Sequence, residues 1–240
     1  MKIFEKGTAE HSYRINIFGL RIRFRNIFAL KNNHIIFVDK NGKESSIKKL
    51  NGLKVKFLGA NAVVKIYTPV PKFENTTIIC GDNVNISIGS SPYKIANSCI
   101  QVTSANSSVN IGRNNFIRGV FIVLADKTGL SVNIGDNCLI ASNVRLQTTD
   151  FHTVIDASTK KLLNPPSDIN IGRHCWLCED VTITKGVTLP DDTIVAAKGY
   201  VTRSFEKQNT IIGGIPAKVI KDKNTSWALE PYWQYLQKST

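Results

Sequence analysis

The stretch Ile169–Val201, INIGRHCWLCEDVTITKGVTLPDDTIVAAKGYV, carries an aliphatic residue at every sixth position: Ile171, Leu177, Ile183, Leu189, Val195 and Val201. Four places after each of the first five stands a small or branched residue: Cys175, Val181, Val187, Thr193 and Gly199. A step of six does not match an α-helix, which repeats every ~3.6 residues, and it is too long for simple strand alternation. It suits short strands separated by tight corners, where Gly, Asn and Asp accept backbone angles that other residues avoid. Such a chain buries its aliphatic side chains coil upon coil, so the stretch predicts a solenoid.

Outward from this block the register recurs at Ile134, Ile140, Leu146 and at Ile111, Ile117, Val123. Ile-Gly-Arg-Asn, Ile-Gly-Asp-Asn and Ile-Gly-Arg-His open the three blocks. Before residue 111 the pattern loosens, and Leu58–Ile66 and Val84–Gly89 read as degenerate coils. Further back, INIFGLRIRFRNIF (Ile15–Phe28) alternates as one strand, with Leu20, Ile22 and Phe24 on one face and Arg21, Arg23 and Arg25 on the other. Ile35–Glu44 reads as a strand entering an Asn41-Gly42 hairpin turn. The expected organisation is a β-rich cap over 1–50, the solenoid over 51–222 and a tail over 223–240. The aromatic segment Trp227–Thr240 breaks the repeat, and a short helix covering the end of the solenoid is expected there.

No run of about eighteen apolar residues occurs, so no bilayer-spanning helix is expected. MKIFEKGTAEHSYR lacks the apolar core and cleavage site of a secretory signal, which points to a cytoplasmic protein. Five scattered cysteines favour free thiols over a disulfide framework. A net charge of +13 implies an anionic partner: a nucleic acid, a phosphorylated cofactor, an acidic glycan or a membrane surface. Against nucleic acid, no aromatic–basic stacking platform is visible.

The sequence TTDFHTVID (Thr148–Asp156) holds one of only four histidines. Pro165-Pro166 and their polar neighbours cannot maintain tight corners, so residues 150–168 are expected to bulge as a loop with His152 at its root. An imidazole titrates near neutrality and can act as a general base; an ordinary surface-loop histidine is the plainer alternative. Cys175 faces inward in the repeat, which turns its neighbour Trp176 outward. His174 reads as a structural corner residue. Cys175-Trp-Leu-Cys178 has the spacing of a redox or zinc pair, but both cysteines fall on small inward positions and no second pair completes a zinc site, so no metal is expected. His11 and His34 carry no motif.

The block 169–222 closely resembles the hexapeptide-repeat acyltransferases. Within it, Ile-Gly-x-x-x-Trp followed by Gly-Ile-Pro-Ala-Lys (Gly214–Lys218) is similar to the sugar O-acetyltransferases, among them the galactoside, maltose and capsular polysialic-acid enzymes. The resemblance implies an all-β chain: a left-handed parallel β-helix with three hexapeptides per turn, assembled as a homotrimer. It implies acetyl-CoA as acyl donor and a saccharide acceptor, which the charge suits to be acidic. His152 matches the family's general base, and Trp176 the tryptophan bordering the thioester. Ala197 matches a position whose backbone amide meets the pantetheine arm. Thr202-Arg203 matches a Thr-Lys pair near the nucleotide. With eighteen residues per turn, Lys185 stacks beneath Arg203, and both cations, with Lys218, suit the coenzyme's phosphates.

Two departures stand out. The chain opens with basic strands where the small-sugar enzymes have helical caps, which favours a surface polysaccharide as acceptor and allows a peripheral position at the inner membrane. Glu179 stands where relatives commonly carry Gly or Ser. Three other readings remain: N-acetylation of an amino-sugar nucleotide, a non-enzymatic basic scaffold that binds glycan or nucleic acid, and a γ-carbonic-anhydrase-like metal enzyme, which needs three convergent histidines.

Overall fold

The computed structural model describes residues 32–230 throughout, residues 4–6, 12–17 and 20–25 as backbone strands, and Gln234, Tyr235 and Gln237 in the tail. The solenoid is a left-handed parallel β-helix with three sheets, and the chain crosses them in a fixed order once per coil. Ile134, Ile171 and Leu189 are paired in register on the first face. Ile140, Leu177, Val195 and Ile212 are paired on the second, and Leu146, Ile183 and Val201 on the third. All of them are buried in one continuous core. The step of six is therefore one inward aliphatic residue per face. Each such burial contributes about 1.5–3 kcal/mol, which the repeat multiplies along the axis.

Between residues 169 and 201 a coil advances 18 residues, as in Asn170 against Thr188 (188 − 170). Earlier coils are longer: 22 from Val64 to Ile86 (86 − 64), 23 from Val109 to Val132 (132 − 109) and 24 from Ile122 to Leu146 (146 − 122). The extra residues enlarge the corners, which is why the sixfold pattern blurs toward the N-terminus. They also correct one position: the inward column runs through Ile100, Ile122 and Leu146, whereas Val123 lies in the neighbouring column with Gln101 and Gln147.

The corners explain the rest of the repeat. Asn114, Asn137, His174, Asp192 and Asn209 stack at one corner, all with φ between 52° and 61°. Asn and Asp enter this left-handed region more readily than other residues, and their side chains link the rungs. The Asn114 amide donates to Asn137 Oδ1 at 3.2 Å, and His174 Nδ1 lies 2.7 Å from Asp192 Oδ1. The glycine of each Ile-Gly pair is required by closeness: a Cβ on Gly135 would stand 2.7 Å from the backbone of Gly172 and Arg173 in the next coil.

Three expectations change. The parallel stack begins before residue 51, because His34–Val38 already pairs with Val63–Tyr67 on the first face. Its antiparallel partner Glu44–Ser46 closes the hairpin expected at Asn41-Gly42. The single strand expected over 15–28 is two, Ser12–Ile17 and Leu20–Arg25, paired antiparallel in a small sheet with Phe4–Lys6. The side chains of Arg21, Arg23 and Arg25 lie outside the described residues. The tail has helical residues at Gln234, Tyr235 and Gln237, but its aromatic start lies along the side of the solenoid rather than over its end. It descends the asparagine corner: Thr225 is bonded to Asn209, Ser226 to Asp192, and Trp227 Nε1 donates to the His174 carbonyl at 2.7 Å.

Candidate functional site

A long insertion between coils 139–147 and 169–177 leaves the third face after Gln147 and returns to the first face at Ile169. It forms a small hairpin arm, bridged at Ile155 and Leu162. Its root is tied firmly. Thr149, buried, donates to Asp126, and its hydroxyl accepts the Phe151 N–H at 3.0 Å. Phe151 is thereby held at φ 62°, a strained conformation for a bulky residue, and the turn projects His152 outward. Asn164 donates to the His152 carbonyl and to Asp150 Oδ2, each at 2.8 Å. Lys185, from the next coil, is ion-paired with Asp150 and donates to the Asn164 carbonyl at 3.1 Å. The Lys185 ammonium and the Asn164 amide hold the Asp150 carboxyl below its ordinary range. His152 is exposed, and its ring makes no hydrogen bond among the described residues. An anchored backbone thus presents a free imidazole.

Trp176 lies on the second face, between Leu139 and Ile194 in the outward column, and is half-buried. Trp227 of the tail leans against it, with ring centroids 6.1 Å apart. In a three-sided prism the second face is opposite the corner from which the loop springs. The fold therefore does not bring His152 and Trp176 of one chain together.

The other expected site residues divide the same way. Thr202 and Arg203 are exposed at the loop's own corner, with the Arg203 guanidinium 5.5 Å from the centre of the Phe205 ring. Lys185 shares that corner, and its ammonium is engaged by the loop; we propose an anchoring role for it in place of the expected contact with phosphates. Its side chain is only 19% exposed. Lys218 is exposed on the second face, on the antiparallel strand Ala217–Lys221. Ala197 is exposed at the corner between the second and third faces, and its N–H has no partner among the described residues. Glu179 sits one coil away at the same corner, its carbonyl accepting the Lys198 N–H at 2.9 Å.

His174 is a corner residue, as expected, clamped between Asp192 and the Trp227 ring, which stacks on it at 4.5 Å. Cys138 and Cys175 occupy successive inward positions, with the Cys175 N–H 3.4 Å from Cys138 Sγ. The Cys138 sulfur and burial push the Cys175 thiol well up, and burial raises Cys178, so neither is a ready thiolate. All five cysteines are free. Sequence reading missed Asp150 and Asn164, although Asp150 stands two places before His152; what it could not supply was the partner lysine one coil on.

No protein-family model matches the chain. Over 127 residues it is 35% identical to the polysialic acid O-acetyltransferase of Escherichia coli O1:K1, covering 53% of this chain and 40% of that one. Over 121 residues it is 35% identical to the galactoside O-acetyltransferase of Escherichia coli K12, covering 50% of this chain and 57% of that one. The chain thus spans about half the length of these two relatives. A longer alignment, 27% identical over 188 residues, covers 78% of this chain and 85% of the polysialic acid O-acetyltransferase of Neisseria meningitidis. In fold it is similar to the crystal structure of the polySia-specific acetyltransferase NeuO, with a TM-score of 0.50 at 24% identity over 87% of this chain and 95% of that one. Repeat, topology and relatives point the same way: the chain is similar in sequence to sugar O-acetyltransferases and similar in fold to NeuO.

Proposed function

We propose that the protein is an acetyl-CoA-dependent O-acetyltransferase that modifies a sugar hydroxyl of a bacterial surface polysaccharide from the cytoplasmic side, with its active sites between the subunits of a homotrimer. The relatives' names support the reaction class. The observation that carries the site is the placement of His152 and Trp176 on opposite sides of the prism. A cyclic trimer lets the loop corner of one copy meet the second face of the next. The arm suits that role: Phe151, Val154, Ile155, Leu162 and Leu163 are all 47–59% exposed, an apolar cluster that a partner would cover.

In this reading the His152 imidazole takes the proton from the acceptor hydroxyl as its oxygen attacks the thioester carbonyl. The carbon–oxygen bond forms, the carbon–sulfur bond breaks, and the imidazolium returns the proton to the departing thiolate. Trp176 borders the reacting groups. The unpaired Ala197 N–H is available to the pantetheine arm, and Thr202, Arg203 and Lys218 to the nucleotide phosphates. Among the described residues no group of three His, Cys, Asp or Glu could hold a metal. No described helix is long and apolar enough to cross a membrane.

Subunit mixing tests the arrangement. His152→Ala should lower turnover by about two to four orders of magnitude, or roughly 3–5 kcal/mol of transition-state stabilisation. Equal amounts of His152→Ala and Trp176→Ala chains, unfolded and refolded together, should regain about a quarter of wild-type activity, because a site between neighbours draws one residue from each. Mixtures no more active than the two parents would refute it. Products are identified by mass spectrometry after turnover with acidic and neutral oligosaccharides.

A further inference from the structure

Beside Trp176, where the tail ends its descent, a cleft of about 280 Å³ opens on the second face. Tyr93 and Phe116 form one wall, stacked with centroids 5.8 Å apart and planes 25° off parallel. Trp227 and Leu229 of the tail form the other. Asn137 and His174 line the floor. The Asn137 Oδ1 is taken by Asn114, and His174 Nδ1 by Asp192. The Asn137 NH2 and His174 Nε2 have no partner among the described residues. Phe116, Leu139 and Trp176 follow one another in the outward column of this face, and the Trp227 ring that walls the cleft lies 6.1 Å from that of Trp176, so the cleft is a near neighbour of the proposed catalytic tryptophan.

We propose that this cleft is an acceptor subsite that holds one uncharged pyranose ring of the glycan, with the ring's C–H face against Tyr93 and Trp227 and its hydroxyls on Asn137 and His174. The inference rests on the O-acetyltransferase reading and adds the part of the acceptor that is recognised. Three features select this occupant. Flat aromatic walls match the apolar face of a sugar ring, and Tyr and Trp combine that surface with a polar tip. A free amide donor and an imidazole nitrogen suit hydroxyls, which both donate and accept. Among the described residues no Lys, Arg, Asp or Glu lines the cleft, so it does not suit the phosphates of a nucleotide or the carboxylate of an acidic sugar. Its size, just under the roughly 300–1,000 Å³ usual for ligand pockets, fits a single ring better than a whole coenzyme. The tail becomes part of the binding surface rather than a mere cover.

Titration calorimetry of the full chain without acetyl-CoA, using maltotriose, chitotriose and isomaltotriose as probes, tests the cleft independently of any transfer activity. At least one probe should bind. Tyr93→Ala, at an exposed position, and Trp227→Phe, which keeps a ring but loses its N–H, should each weaken binding about three- to tenfold. With a competent acceptor, Tyr93→Ala should raise the acceptor KM by the same factor and leave both kcat and the acetyl-CoA KM unchanged. Failure of all three probes to bind, equal affinity in wild type and both variants, or displacement of the sugar by coenzyme A would each overturn the proposal. Sugar binding that persists while no acetyl transfer is found would instead leave the subsite standing and remove the enzymatic reading.

Discussion

Replacing Lys185 by Met keeps the aliphatic stem and removes the ammonium that ties the His152 loop to the next coil. The Lys185 side chain is 19% exposed and that of Asp150 46%. The pair is therefore partly screened, and it lies between the exposed limit of about 0–1 kcal/mol and the ~1.5–3 kcal/mol of charged hydrogen bonds. We take about 1–2 kcal/mol, which changes the ratio of anchored to released loop by roughly five- to thirtyfold. Asp150 does not become an orphan, because the Asn164 amide still donates to it at 2.8 Å. Turnover should fall by no more than that ratio, well short of the His152→Ala effect. The acetyl-CoA KM should hold, since the ammonium faces the loop. Asp150→Asn should give a similar loss, and the double variant less than the product of the two, because both remove one tie. Steady-state kinetics over both substrates, with hydrogen exchange across residues 150–164, reads all of this. A tenfold rise in acetyl-CoA KM at unchanged kcat would refute the anchoring role and return Lys185 to the coenzyme's phosphates.

Two further outcomes follow from the corners and the loop. Gly135→Ala should lower stability by several kcal/mol, seen as a lower denaturation midpoint, because the new Cβ meets the backbone of Gly172 and Arg173 and no flexible side chain can give way; an unchanged midpoint would mean that the coils can separate there. Asp150 is depressed by Lys185 and Asn164, and Asp156 at the arm's tip is held at about 2, chiefly by the Ser158 hydroxyl. A lowered folded pKa gives stability that is present above the ordinary carboxylate value of 3.8 and is lost as pH falls through the folded one. Hydrogen exchange in the loop should therefore accelerate below that value, and Asp150→Asn should show a flatter pH dependence at the loop's root; identical profiles would remove Asp150 as the titrating anchor.

The sequence by itself determined the solenoid, since one inward aliphatic residue per face is a local rule that repeats and leaves a period readable without contacts. Ile171 to Val201 obey it without exception, and the Ile-Gly pairs mark where coils press backbone on backbone. It also marked His152, because Pro165-Pro166 and the polar residues around them interrupt the period. The longer early coils were not legible: turns of 22, 23 and 24 residues follow one another with no common spacing, and only strand pairing shows that Ile122, not Val123, faces the core. What joins distant coils lay wholly in the tertiary structure. Lys185 reads as a spare cation until the fold sets it 35 positions from Asp150 in sequence but in contact in space. Trp227 reads as an end cap until it is found stacked on His174, 53 positions earlier. The separation of His152 from Trp176 was likewise decided by the prism, because a period fixes which way a side chain faces but not which corner an insertion leaves from.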